Sequence, residues 1–294
     1  MKLAIASGKG GTGKTTVATN LAVLASRQGA HSVAYLDCDV EDPNGHLFLK
    51  PTITSSEPAK RFYPVVNEEL CTHCKLCGEI CQYGGIVCLG RKVLVDPQLC
   101  HSCGGCVLVC RPGAITEAPR NIGRLERGRA GAIDFVRGLL NIGEAMSTPL
   151  IRQVKAAAPP ADLLVIDSPP GTSCPVVESV RGADFVLLVA EPTPFGLHDL
   201  KMAVAMVRAL KLPAGVCVNR AVPGDGEIYE YCRREGIEIL AEIPDDRRVA
   251  EVYSRGLLAC DAVPQFCERL EGLLQQLHSS MGARAARPAS RQHR

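Results

Sequence analysis

The sequence predicts a doubly wound α/β domain on a mainly parallel sheet, with a smaller α+β module inserted into it. Three observations carry that expectation. An apolar run, Leu3 to Ala6, feeds a glycine-rich loop and then a helix-like run. Later apolar runs end in carboxylates, at Asp37, Asp39 and Asp167, where ligands gather in open parallel sheets. Between them lies a cysteine-rich repeat of 29 residues, Cys71 to Cys100. The boundaries read from composition are residues 1–60 and 120–278 for the discontinuous domain and 61–119 for the insert. An Ala/Arg/Ser-rich tail, 279–294, is expected to be basic and disordered.

The first loop, Gly8-Lys9-Gly10-Gly11-Thr12-Gly13-Lys14-Thr15, followed by Thr16, fits the phosphate-binding pattern G-x-x-x-x-G-K-[ST]. Glycines let backbone N–H groups curl around phosphate oxygens, and the helix N-terminus adds its positive dipole end. Lys14 supplies charge to the β- and γ-phosphates and Thr15 a hydroxyl to Mg²⁺.

Composition narrows the classes. Net charge is +2, so neither nucleic acid nor an anionic membrane has an electrostatic case. With no Trp, a stacking platform for single strands is disfavoured. No run reaches the roughly 18 apolar residues of a membrane span. The chain enters a strand at once with no signal peptide, so a cytosolic location is expected. In that setting 15 cysteines point to metal ligation rather than disulfides.

Taken in order, Thr16 to Gln28 has helical spacing, with Gly29 as its stop. Ser32 to Leu36 reads as a buried strand ending in Asp37-Cys38-Asp39. Glu41 to Lys60, with Pro43, Pro51 and Pro58, reads as a switch loop and linker. Each half of the insert then carries C-x₂-C-x₂-C-x₃-C: Cys71, Cys74, Cys77, Cys81, then Cys100, Cys103, Cys106, Cys110. Zinc sites usually space their C-x₂-C pairs further apart. The spacing resembles that of bacterial two-cluster ferredoxins, in which the fourth cysteine of each run serves the other cluster. By that resemblance Cys71, Cys74, Cys77 and Cys110 hold one [4Fe–4S] cluster, and Cys100, Cys103, Cys106 and Cys81 the other. Each fourth cysteine is expected to start a helix. Proline does not follow either directly; Gln82 and Arg111-Pro112 do. Cys88, between the runs, reads as a packed thiol.

Beyond the insert, Gly123 to Gly128 looks like a turn or hairpin. A helix from about Pro149 to Ala157 follows, capped by Ser147 or Thr148. The Ile142-Gly143-Glu144 segment before it has no role derivable from sequence. Asp162 to Asp167 is an apolar strand whose last carboxylate can hold the Mg²⁺ shell, and Gly171 can offer its N–H to a γ-phosphate. Cys174 just beyond is either a metal ligand at a dimer interface or a small packing residue. Asp184 to Ala190 and Ala214 to Val218 are further strands, with a helix, about His198 to Leu210, between them. No guanine signature follows the second, which favours adenine. Val263 to Leu277 carries Phe266, Leu270, Leu273, Leu274 and Leu277 on one face. Its polar face is mostly acidic and suits packing on the domain better than lipid.

Lys9, the second residue of the loop, marks a deviant Walker A motif. There the chain resembles the MinD/ParA group of P-loop ATPases, which includes the nitrogenase iron protein. Over residues 1 to about 278 it is similar to members of that superfamily with an inserted ferredoxin domain. The resemblance implies a homodimer that closes on ATP, Lys9 reaching the partner's phosphates. It implies that Asp39 positions the attacking water and Asp37 contacts the Mg²⁺ shell, leaving open which acts as base. Asn219 and the segment around Pro244 fall at the adenine. The leading functional expectation is a Mg²⁺-dependent ATPase that couples nucleotide state to electron transfer through two [4Fe–4S] clusters, with a redox partner. The alternative is a carrier or scaffold delivering clusters or metals to apo-proteins. A MinD-type positioning ATPase is a third possibility.

Overall fold

The computed structural model describes residues 1–29, 32–222 and 226–285. The chain opens with β1 (Lys2–Ala6), α1 (Lys14–Arg27), β2 (Val33–Asp37), α2 (Gly45–Leu49) and β3 (Thr52–Val66). The cysteine-rich segment follows, with α3 (Leu76–Ile80), β4 (Ile86–Leu89), β5 (Lys92–Val95) and α4 (Gly105–Leu108). The chain then returns through β6 (Ile115–Ala130), β7 (Ile133–Leu140), α5 (Thr148–Ala156) and β8 (Leu163–Asp167). It continues through α6 (Cys174–Val180), β9 (Phe185–Ala190), α7 (Pro194–Ala209), β10 (Ala214–Ala221) and α8 (Gly226–Glu235). The last elements are β11 (Ile239–Pro244), α9 (Arg247–Ser254), α10 (Ala259–Ala262) and α11 (Pro264–Ala285).

Among the described residues, nine strands form one sheet in the order β11-β10-β9-β1-β8-β2-β7-β6-β3. Pairing is parallel from β11 through β7, while β6 and β3 are antiparallel. The central strands are buried along their length, β2 and β8 at every residue, as expected where helices cover both faces. On one face α1, α10 and α11 enclose Leu21, Phe135, Val165, Leu270 and Leu273; on the other α5 to α8 enclose Ile151, Ile166, Val176, Val204 and Tyr231. No described helix is long and apolar enough to cross a membrane.

Four expectations are corrected. The linker up to Lys60 is in its latter part strand: β3 begins at Thr52 and pairs along its length with β6. It tolerates Pro58 and Pro64 because it is the edge strand, where one side of the backbone needs no ladder partner. Gly123 to Gly128 is not a turn but mid-β6, where a Cβ on either glycine would strike a neighbouring strand's carbonyl, of Leu139 or Thr52. The short helices α3 and α4 precede the fourth cysteines, Cys81 and Cys110, instead of starting at them. Finally, α11 runs on to Ala285, past the expected start of the tail; residues 286–294 lie outside the described residues.

The β3–β6 ribbon decides where the cysteines stand. Its last pair, Val66 with Ile115, closes off residues 67–114 as a lobe. Since β6 begins at the edge where β7 ends, and β7 is parallel to β2, the lobe projects from the carboxyl edge of the sheet. The glycine-rich loop leaves β1 at that same edge.

Candidate functional site

The loop after β1 turns into α1 at Gly13, whose φ of 88° is left-handed and whose Cβ would fall on the Asn219 amide. Gly8 instead serves packing: a Cβ there would meet the Asp199 carbonyl of α7. Lys9, Gly10, Gly11, Thr12, Gly13, Lys14, Thr15 and Thr16 line a cleft of about 420 Å³. Asp39, Asp42 and Asn44 border it after β2, Asn219 and Arg220 from β10, Pro244 at the end of β11 and Asp245 just beyond it. Asn219 donates its side-chain N–H to the Thr12 carbonyl at 2.7 Å, tying β10 to the loop. Gly171, with φ 93°, donates its N–H to the Ser7 carbonyl at 2.9 Å.

The charged groups beneath the cleft are tightly paired. Lys14 Nζ lies 2.6 Å from Asp167 Oδ1 and 3.4 Å from Thr15 Oγ1, and Asp167 Oδ2 accepts from the Tyr35 hydroxyl at 2.8 Å. Burial, the largest single influence, pulls the Lys14 ammonium down, but the charge and hydrogen bond of Asp167, together with the charges of Asp39 and Asp37, outweigh it and leave the pKa above its ordinary value. Asp37 is buried below the cleft and accepts from the N–H of Gly45 at 2.9 Å. Burial first, and then the Asp167 charge, pushes its carboxyl up to about 8. Asp39 is less enclosed, and burial pushes it up to about 6. Lys9 lies at the rim, its Nζ 3.3 Å from Glu191 Oε2, and Glu191 Oε1 also pairs with Arg220 at 2.6 Å. Tyr35 and Glu191 were not singled out in the sequence. Nothing local marks either, because their partners come from strands and loops far along the chain.

In the lobe, the eight thiols divide between two cavities. Cys71, Cys74, Cys77 and Cys110 line one. Cys81, Cys100, Cys103 and Cys106 line the other. Each cavity thus draws three thiols from one run and the fourth from the other. Among the described residues no three His, Cys, Asp or Glu side chains converge closely enough to hold a single metal ion. Four thiols at each cavity equal the number that a four-cysteine cluster takes. Tyr83 and His101, each two or fewer residues past a run-defining cysteine, stack at the second cavity with ring centroids 3.5 Å apart. Cys88 Sγ lies 3.5 Å from Cys77 Sγ but lines neither cavity. Cys174 is exposed at the start of α6 and lines neither cavity.

A doubly wound sheet with a Lys14-bearing glycine loop at its carboxyl edge defines a P-loop nucleotide-binding protein. More particularly, the chain belongs to the CobQ/CobB/MinD/ParA nucleotide binding domain family, whose model matches residues 3–259. An uncharacterized protein of Methanocaldococcus jannaschii is 30% identical over 286 residues, 94% of this chain and 96% of that one. An iron-sulfur cluster carrier protein of Aquifex aeolicus is 28% identical over 273 residues, 86% of this chain and 60% of that one. In fold, the chain is similar to the septum site-determining protein MinD of Pyrococcus horikoshii, solved with Mg-ADP. The TM-score is 0.57 at 19% identity, over 97% of this chain and 98% of that one.

Proposed function

We propose that this chain is an ATPase that carries iron–sulfur clusters on its eight paired thiols and governs them by nucleotide state. The observation that carries this is the partition of the thiols into two four-cysteine cavities, on the same sheet edge as the P-loop cleft. Cluster carriage, the alternative of the sequence-based expectations, now leads because a relative along 86% of this chain is named an iron-sulfur cluster carrier protein. Each cavity would take one [4Fe–4S] cluster, with Cys81 and Cys110 crossing between the runs.

At the cleft, ATP phosphates would take Lys14 from Asp167, freeing that carboxylate and the Thr15 hydroxyl for the Mg²⁺ shell. Asp39, on the cleft wall, is better placed than buried Asp37 to meet the attacking water. Lys9 would exchange Glu191 for a partner's phosphates in an ATP-closed homodimer. Asn219 and Pro244 flank the end of the cleft where adenine would lie.

Electron transfer stays as a second reading, favoured by the ferredoxin-like spacing and by the division of the thiols four and four between two cavities. Anaerobic reconstitution followed by incubation with an apo-ferredoxin acceptor, in ATP and in ADP, separates the two. Nucleotide-dependent movement of iron to the acceptor supports carriage. Clusters that stay on the chain while a redox dye reduces and reoxidises them support electron transfer. A chain that takes up no iron–sulfur cluster overturns both.

A further inference from the structure

The Ile142-Gly143-Glu144 segment acquires a role from its surroundings. Arg61 on β3 and Arg120 on β6 are directly opposed in the ribbon. Two like charges in that register repel. Glu144, in the loop after β7, lies between them: its Oε1 is 3.0 Å from Arg61 Nη2 and its Oε2 is 3.0 Å from Arg120 Nη2. The Arg61 and Glu144 side chains are each only 2% exposed. The other side of the guanidinium fork reaches the lobe. Arg61 Nη1 donates to the Cys100 carbonyl at 2.6 Å and Nη2 to the Pro97 carbonyl at 2.7 Å, and Arg120 Nη1 also donates to Pro97, at 3.1 Å. One carboxylate of the sheet domain therefore anchors, through two arginines, the backbone that begins the second cysteine run.

The same loop touches the cleft side. Leu140, at the end of β7, donates its N–H to the Val40 carbonyl at 2.8 Å, and Val40 directly follows Asp39. Asn141 bonds to Ile122 on β6, and Glu144 bonds back to Asn141. The arginine joint is not fully satisfied. Arg61 Nε is buried without a hydrogen-bond partner among the described residues, and Glu144 Oε1 lies within ion-pair reach without hydrogen-bond alignment. An incompletely bonded buried pair can re-seat without first breaking a saturated network. Among the described residues no such charged joint holds the Cys71 end of the lobe; there the Asn67 N–H meets the Ala114 carbonyl at 2.7 Å.

We propose that Glu144, held between Arg61 and Arg120, is the joint through which the Asp39 side of the nucleotide cleft acts on the second thiol cavity. Glu144 and Arg61 are positioning residues there. They set the path of the Cys100 backbone and the charge beside it. The inference rests on the iron–sulfur reading above and adds which of the two sites the nucleotide addresses.

The test uses the full chain with its clusters reconstituted anaerobically, in ATP and in ADP, followed by potentiometric EPR and by hydrogen–deuterium exchange of residues 97–103. In the unaltered chain one cluster component and the 97–103 amides should differ between nucleotides. Glu144→Gln leaves two arginines uncompensated and should raise the potential of that component; Arg61→Met should lower it. Both should erase the nucleotide difference, while the other component keeps its potential. Because a lone buried charge destabilises, the double variant Arg61→Met with Glu144→Leu supplies a chain without the unpaired Arg61–Glu144 charge. It too should lose the nucleotide difference, whereas the single variant Glu144→Asp, which keeps the counter-charge, should retain part of it. Potentials that move the same way in both single variants, or a nucleotide difference that survives in the double variant, overturn the joint. So does an unaltered chain that binds clusters with no nucleotide difference. Absence of clusters from the unaltered chain instead overturns the iron–sulfur reading itself.

Discussion

The cleft and the cysteine lobe share one sheet edge but are held together by different means. Beneath the cleft, strands such as β8 and β2 are buried on both faces by helices, and Asp167 bonds both the Lys14 ammonium and the Tyr35 hydroxyl. The lobe buries Cys77, Ile86 and Ala114, with Ile115 of β6 beneath them, as its small apolar core. Its Leu70, Leu94, Leu99 and Leu108 are exposed. A segment of that size rarely stabilises itself by burial alone, and metal ligation is the usual remedy. The difference implies that the cleft is preformed by packing, whereas in the proposed function the lobe depends on the clusters its thiols would hold and on its contacts with Glu144 through Arg61 and Arg120.

The largest expected effect separates the two regions. Lys14→Ala removes the ammonium that, in the proposed function, ATP phosphates would draw from Asp167, and should lower ATP hydrolysis by at least about a hundredfold, as losing a transition-state charge contact does. Iron content and cluster spectra should stay as in the unaltered chain; a parallel loss of iron would break the separation. Next comes iron removal. Anaerobic chelation should expose amides across residues 67–114 to hydrogen exchange while α1 and β8 remain protected, because only the lobe lacks an adequate core. Equal deprotection of both would show that the lobe is not an independently yielding region.

The smallest effect concerns the cleft alone. The folded carboxyl of Asp37 sits at about 8 and that of Asp39 at about 6, both above the ordinary 3.8. The fold therefore binds these protons more tightly than the unfolded chain does. That stabilisation is fully present below the ordinary value and is lost as pH rises through about 6 and then about 8. Without nucleotide and Mg²⁺, denaturant titrations should show stability falling between pH 5 and pH 9 by on the order of a few kcal/mol. Asp37→Asn should flatten most of that slope, and an unchanged slope would reassign it to other groups.

Residue type and spacing made much of the cleft legible. A glycine loop between a strand and a helix has few other uses, so Lys14, Thr15 and the strand-end Asp167 could be named in advance. The eight thiols were equally legible, since four-cysteine runs announce themselves by interval. The ribbon was not. Pro58, Pro64, Gly123 and Gly128 all signal turns locally, and only pairing with a distant strand makes them strand residues. Glu191 was invisible for a related reason: its value lies in pairing with Lys9 and Arg220, which arrive from β1 and β10.

By itself, the sequence determined the chemistry available: a phosphate-binding loop, strand-end carboxylates and two sets of thiols, because those depend on short intervals along the chain. Tertiary structure decided how they are joined. The antiparallel β3–β6 ribbon swings the thiols to the cleft edge, and its register opposes Arg61 to Arg120. Two like charges in that register, that of Arg61 buried, require a counter-charge, and the loop after β7 supplies Glu144 from 83 positions beyond Arg61 (144 − 61). No local pattern encodes a contact of that kind, because its energy exists only once the strands have paired.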